Sequence, residues 1–364
     1  MKNLVFAVHR FRRLAVLVLG GLIACVAFAA EPLKVGFVYV SPVSDAGWTY
    51  QHDQGRKQMV AELGERVQTR FVDKVAEGPE AERVIRDLAS QGYQLIFATS
   101  FGFMEPTLRV ARDFPDVTFE HASGYKLAGN MANYNARFYE GRFLAGMAAG
   151  AISKTNRLGY VAALPIPEVI QGINAFMLGA RQTNPSAELS VLWTNSWYDP
   201  GRETSAATAL IDLGADVLTH HTDSSAVPRA AEAAGKWVVG YHSDMRAAAP
   251  KHHLVSVTHH WGQYYTDRVK AKLAGQWQSQ SVWGGMQDGF VRIDGLSNQL
   301  EPAVAALIEE AAELIRNGTR HPFAGPVTDN TGKERIVAGK PPSDELISRM
   351  DWFVAGVNAS LPGR

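Results

Sequence analysis

Val35-Gly36-Phe37-Val38-Tyr39-Val40-Ser41-Pro42 has a counterpart in Leu158-Gly159-Tyr160-Val161-Ala162-Ala163-Leu164-Pro165. Both read apolar, Gly, aromatic, Val, three residues, Pro, and they stand 123 residues apart. A second match, Gly92-Tyr-Gln-Leu-Ile-Phe-Ala-Thr-Ser-Phe101 with Gly214-Ala-Asp-Val-Leu-Thr-His-His-Thr-Asp223, has an offset of 122. Apolar runs of this kind mark strands buried on both faces of a parallel sheet. Two matches in register point to two similar α/β lobes, one starting near residue 34 and the other near 157. Chance similarity between buried strands stands as the alternative.

The same pattern continues along the chain. Strands are expected at 34–40, 67–72, 95–99, 117–120, 158–162, 189–193, 217–220, 237–241 and 254–258, with helices between them, among them 79–91, 139–152, 202–213 and 266–273. This alternation is that of a parallel α/β sheet. The Ala- and Gly-rich stretch 143–152 has ten residues, half of the roughly 20 a membrane span needs, so it reads as a site of close helix packing. The first lobe is expected to take 31–153 and about 258–290, and the second 154–257 and about 291–364.

Composition agrees with a folded two-domain protein. The chain has 364 residues, 36 basic and 36 acidic groups, 46% apolar residues, 33 Gly and 17 Pro, which excludes disordered, collagen-like and disulfide-stapled classes. The balanced charge hides an asymmetry. Residues 1–30 carry Lys2, Arg10, Arg12 and Arg13 and no acid, followed by Leu14-Ala-Val-Leu-Val-Leu-Gly-Gly-Leu-Ile-Ala24 and Ala27-Phe28-Ala29-Ala30. A basic segment, a short apolar core and small residues form a secretory signal peptide. Without it the chain carries a net charge of −4, a poor match for nucleic acid. The single cysteine, Cys25, lies in Leu22-Ile23-Ala24-Cys25, which also fits a lipoprotein cleavage site. The apolar Val-Ala-Phe-Ala-Ala that follows lacks the polar tether of a lipoprotein, so the expected location is the periplasm, with a membrane anchor through Cys25 as the alternative.

In open α/β sheets ligands bind beyond the carboxyl ends of the strands. The loops so placed are 42–48, 100–103, 165–167, 195–199, 222–225 and 242–244. They offer Trp48, Phe101 and Trp197 as flat faces, with Ser100 beside Phe101, and Asp45, Asp223 and Asp244 as acceptors. Aromatic faces with few acceptors suit a planar heterocycle whose edge carries N–H donors. Asp45 precedes a helix and reads either as its cap or as a ligand group; Asp199, before Pro200, reads as a cap. His220-His221, His252-His253 and His259-His260 do not read as a metal site, because neighbours in a strand point to opposite faces and no chelating spacing is present. His259, at a strand end, is kept as a cleft residue. No nucleophile elbow, phosphate loop or dinucleotide turn occurs, so no enzyme and no cofactor is expected.

These residues resemble the basic membrane protein family of substrate-binding proteins, which serve ATP-binding-cassette importers and include purine nucleoside receptors. The resemblance covers the chain after the leader and is carried by Lys34-Val-Gly-Phe-Val, Asp45-Ala-Gly-Trp48-Thr49 with Gly55, Phe101-Gly-Phe-Met, Phe114-Pro-Asp-Val-Thr-Phe119, Glu140-Gly-Arg-Phe-Leu-Ala-Gly146, Trp197-Tyr-Asp-Pro200 and Gly214-Ala-Asp-Val. It implies an α/β type I periplasmic binding protein, two Rossmann-like lobes with a ligand cleft between them. It further implies a purine held between Trp48 and Trp197, with an acid at or near Asp244 reading the base edge and Asp223 adding an acceptor. The chain departs from the family at Thr49, where nucleoside-binding members have Asn, at His121-Ala-Ser123, where they have Asp, and at His259, where they have Lys. An acid beyond the fourth strand would suit ribose hydroxyls, so the departure favours a free nucleobase over a nucleoside. The implied partners are the purine and an inner-membrane permease, with the protein acting as a monomer. An exported purine hydrolase is the enzyme alternative, and a LacI-type regulator is disfavoured because the leader stands where a DNA-binding headpiece would be.

Overall fold

A computed structural model describes residues 31–362. The leader, with Cys25 and both cleavage positions, lies outside the described residues.

The first sheet is built from β1 (Leu33–Val38), β2 (Val67–Val72), β3 (Leu95–Ala98), β4 (Thr118–Ala122) and β5 (Met131–Ala136). The second begins with β6 (Arg157–Ala162), β7 (Glu188–Trp193), β8 (Val217–His221), β9 (Trp237–His242) and β10 (His253–His259). Each gains a late strand, β11 (Ser281–Gly284) in the first and β12 (Val291–Asp294) in the second. A short hairpin of β13 (Val327–Thr328) and β14 (Glu334–Ile336) follows, and β15 (Val357–Asn358) closes the far edge of the second sheet.

The sheet orders explain the internal matches. The first runs β11-β5-β4-β3-β1-β2 and the second β12-β10-β9-β8-β6-β7-β15. β1 lies between β3 and β2 as β6 lies between β8 and β7, so the matched runs occupy equivalent central strands. Every pairing in the first sheet is parallel, while β12 runs antiparallel to β10. Val35, Phe37 and Val38 of β1 and Tyr160, Val161 and Ala162 of β6 are fully buried, as strands covered on both faces require.

Helices cover both faces: α1 (Trp48–Leu63), α2 (Pro79–Ser90), α3 (Met104–Asp113), α4 (Phe138–Ile152), α5 (Pro167–Thr183), α6 (Pro200–Asp212), α7 (Ala226–Ala233), α8 (Gly262–Leu273), α9 (Pro302–Arg316) and the short α10 (Asp344–Ser348). Proline opens α2, α5, α6 and α9, where its missing N–H costs nothing. Asp199 caps α6 as expected, its carboxylate accepting the Arg202 N–H at 3.0 Å.

Three segments carry the chain between the sheets: β5 to α4, β10 to α8, and β11 to β12. Helix α4, in the stretch expected for the first lobe, packs on α5, α9, β10 and β12, while α8 returns to pack on α1 of the first lobe. The Ala/Gly-rich stretch does make a close helix contact. A Cβ at Gly146 would lie 2.0 Å from the Phe176 carbonyl oxygen, and one at Gly179 would lie 1.9 Å from that of Phe143. No helix among the described residues is long and apolar enough to cross a membrane.

Candidate functional site

The carboxyl ends of both sheets converge on a cavity of about 360 Å3, counted to its opening on solvent. The first lobe supplies Val40 after β1, Trp48 at the start of α1, Ser100 and Phe101 after β3, and Ser123 after β4. The second supplies Glu168 in the first turn of α5, Trp197 after β7, His221, Thr222 and Asp223 at the end of β8, and His242 at the end of β9.

Trp48 is held firmly by its own surroundings and still lines the cavity. Its Nε1 donates to the Thr99 carbonyl at 2.8 Å, and its ring meets His52, His242 and Trp261 edge-on at centroid distances of 4.3, 5.3 and 5.7 Å. Trp197 is half-buried, tilted against His221 at 6.2 Å. His221 and His242, 5.3 Å apart, form the wall between the two tryptophans.

Both imidazoles are held neutral. Burial lowers their pKa values well below the usual histidine range, and the Arg142 guanidinium lowers them further. For His242, the His259 ring adds to the effect. Arg142 is fully buried behind this wall, stacked 3.2 Å from the Tyr241 ring centroid and donating to Thr219 Oγ1 at 2.9 Å and the His220 carbonyl. A buried cation beside imidazoles disfavours their charged form.

The two acids of the cavity shift the opposite way. Burial pushes Glu168 up to about 7, against hydrogen bonds from Ser123 and Asn135, the latter at 3.1 Å. Its carboxylate lies 3.7 Å from His221 Nε2, and burial favours the neutral form of each. Asp223 is likewise pushed up to about 7 by burial, against the Thr49 N–H that reaches its Oδ1 at 3.1 Å. The lining therefore offers aromatic faces, neutral imidazoles and weakly acidic carboxyls.

Of the residues expected from sequence, Trp48, Ser100, Phe101, Trp197 and Asp223 line this cavity. Thr49 sits behind Trp48, fully buried, and meets the second lobe through its N–H. Three expectations are corrected. Asp45 neither lines the cavity nor caps α1: it is exposed and pairs with Arg229 at 2.7 Å on the outer rim. Asp244 is exposed beyond the end of β9 and turns to Arg246, at 2.9 Å from Nε. The strand ends at His242, and that residue faces the cavity instead. His259 is buried one layer back, its Nδ1 3.2 Å from that of His242. Thr222 and His242 fall within the loops expected to face the cleft, though they were not singled out, and sequence reasoning missed Glu168, His221, Ser123 and Val40 as lining residues.

A larger groove of about 950 Å3, counted to its opening on solvent, adjoins the cavity, sharing Phe101, Ser123 and Glu168 and adding Asn133, Asn135, Gln171 and Ser281 beside apolar Ile166, Val282 and Trp283.

Two Rossmann-like lobes joined by three crossings, with aromatic groups of both lobes and acids of the second facing one cleft, define a solute-binding protein of the type I periplasmic class. The chain belongs to the Bmp family of PnrA-like ABC transporter substrate-binding proteins, whose family model matches residues 33–319. It is 49% identical over 345 residues to a purine-binding protein of Brucella abortus, covering 95% of this chain and 98% of that one. It is 38% identical over 333 residues to a putative ABC transporter glucose-binding protein of Haloferax volcanii, with 91% and 82% covered. Among solved structures, an ABC transporter solute-binding protein of Aeropyrum pernix shares the fold, at a TM-score of 0.70 and 18% identity over 87% of this chain and 95% of that one. The chain is thus a substrate-binding protein of an ABC transporter, in a family of binding proteins rather than enzymes.

Proposed function

We propose that the protein captures a purine outside the cytoplasm and delivers it to an inner-membrane permease, with a free nucleobase as the preferred ligand. The observation that carries this is the cavity lining: Trp48, Phe101 and Trp197 around a volume of about 360 Å3, with Glu168 and two neutral histidines at the edges. A flat ring stacks on the tryptophans, while Glu168 accepts from its N–H groups and His221 and His242 each offer one donor and one acceptor. The name of the Brucella relative supports the same ligand class. A nucleoside is the second reading, favoured by the groove next to Glu168, where Asn135 and Gln171 would meet ribose hydroxyls.

The test is to denature protein purified without refolding and identify what it releases by ultraviolet absorbance and mass spectrometry. Refolded protein is then titrated with adenine, hypoxanthine, adenosine and glucose, and each mixture is assayed for product. Binding of a base without turnover supports the proposal. Response to glucose alone, in line with the name of the Haloferax relative, would replace it, and turnover would favour a hydrolase.

A further inference from the structure

Glu77, in the loop between β2 and α2, is not part of the cavity wall. Its Oε1 nevertheless collects three donors: Ser100 Oγ at 2.6 Å, the Gly102 N–H at 2.9 Å, and Trp197 Nε1 at 3.1 Å. The first two belong to its own lobe and the third comes from the other lobe, across the cleft. Gly102 is what lets the carboxylate in, since a Cβ there would lie 2.3 Å from Glu77 Cδ.

An indole has a single donor, and a buried tryptophan needs a partner for it. For Trp197 that partner is Glu77. Two bonds made within the first lobe hold the carboxylate in place whether or not the second lobe is near, so the acceptor is ready before the cleft shuts. The bond to the indole is made only when the lobes meet. An ionised acceptor makes it stronger than a neutral one would.

We infer that Glu77 is a positioning residue for ligand binding: it seats the Trp197 ring over the cavity, so that the ring is in place only when the cleft is closed. This rests on the reading of the cavity as the ligand site. Glu77 does not touch the ligand; it acts through Trp197, and its effect must vanish when the indole N–H is removed.

The experiment is a double-mutant cycle with two readouts. Adenine affinity is measured by calorimetry for the parent, Glu77→Ala, Trp197→Phe and the double variant, with Glu77→Gln as the conservative control. Glu77→Ala should weaken adenine binding by about tenfold to a hundredfold, the scale of a hydrogen bond to a charged group. In the Trp197→Phe background it should cost no more than about twofold, the scatter within which additivity is judged, so that the two substitutions are strongly non-additive. Glu77→Gln, which keeps an acceptor oxygen, should recover most of the loss. The second readout needs no ligand: in protein labelled with 5-fluorotryptophan, the Trp197 fluorine resonance, assigned by its loss in Trp197→Phe, should move in Glu77→Ala. Equal losses in both backgrounds, or an unmoved resonance, would overturn the inference. If the parent binds hypoxanthine or adenosine but not adenine, the cycle is run with that ligand; if it binds none of the three, the purine reading fails and the fluorine resonance alone decides the role of Glu77.

Discussion

The Asp223 carboxylate, carried by the second lobe, accepts the Thr49 N–H in the first turn of α1 at 3.1 Å. Helix α1 begins after Gly47, which has no side chain to cap it, so an acid from across the cleft occupies the place of an N-cap. With Glu77 on Trp197 the arrangement is reciprocal, each lobe lending a carboxylate to an N–H of the other.

Gly47 makes that approach possible. Its φ of 102° and ψ of −168° lie in a region essentially reserved for glycine, and a Cβ would sit 2.3 Å from Asp223 Oδ1 and 2.5 Å from the Asp223 carbonyl oxygen. Gly47→Ala should cost about 1–3 kcal/mol of backbone strain and also hold the lobes apart. Adenine affinity should then fall more than that of Asp223→Asn, which keeps an acceptor for Thr49. Calorimetry on the two variants checks the order; parent affinity in Gly47→Ala would mean that the contact is not needed for binding.

Trp197 and Trp48 should separate binding from stability. Trp197 is half-buried, and Trp197→Ala should weaken purine binding by about tenfold or more, the worth of one stacked face, with little change in melting temperature. Trp48 is 8% exposed and wedged among His52, His242 and Trp261. Trp48→Ala should cost about 3–5 kcal/mol of stability besides, read as a lower melting temperature in ligand-free protein. A destabilised Trp197→Ala with unchanged affinity would remove that ring from the site.

Glu168 sets a pH dependence of known sign. Its folded pKa of about 7 lies above the usual 4.5, so between those values the folded state holds a proton that the unfolded state has released. Stability from this group is therefore present at low pH and lost as pH rises through 7. Glu168→Gln has no such loss. Its melting temperature relative to the parent should rise from pH 5 to pH 8, by the equivalent of up to about 3 kcal/mol at 1.4 kcal/mol per pKa unit. A constant difference across that range would show that the carboxyl ionises as freely in the folded protein as in the unfolded chain.

How much of this was legible depends on how local the signal is. The nine strands read from β-branched runs are all present; in inner strands such as β3 and β6, burial on both faces leaves a continuous apolar record in the sequence, whereas the edge strand β2 is largely exposed and was read from its β-branched residues alone. β5 was not read: Met-Ala-Asn-Tyr-Asn-Ala lacks that record, and it is a strand because β4 and β11 flank it. At the site, the strand-end rule found the loops but misjudged single positions. Glu168 lies one residue past the Pro165–Pro167 loop, in the turn that Pro167 opens toward the cleft, and His221 lies one residue before the 222–225 loop. Asp244 was favoured over His242 because an acid suits an N–H edge, whereas which residue faces inward depends on where β9 stops. Glu77 left no sequence signal, since its partners Ser100, Gly102 and Trp197 meet it only in the fold.

Binding itself should release a proton. In the cleft Glu168 faces Ser123 and Asn135 of the first lobe and His221 of the second, whose imidazole is held neutral, so no cation there stabilises its ionised form. N–H donors of a bound base would do so and lower its pKa in the complex. Affinity must then rise with pH while the free carboxyl still carries a proton. With a free pKa of about 7, the ionised fraction grows about tenfold between pH 6 and pH 8, and adenine affinity should grow by about that factor. Calorimetry in two buffers of different ionisation enthalpy measures the proton count directly. Release near pH 7 that disappears in Glu168→Gln assigns the base edge to Glu168. Release that persists in that variant would move the role to Asp223, the other carboxyl of the cavity with a pKa near 7.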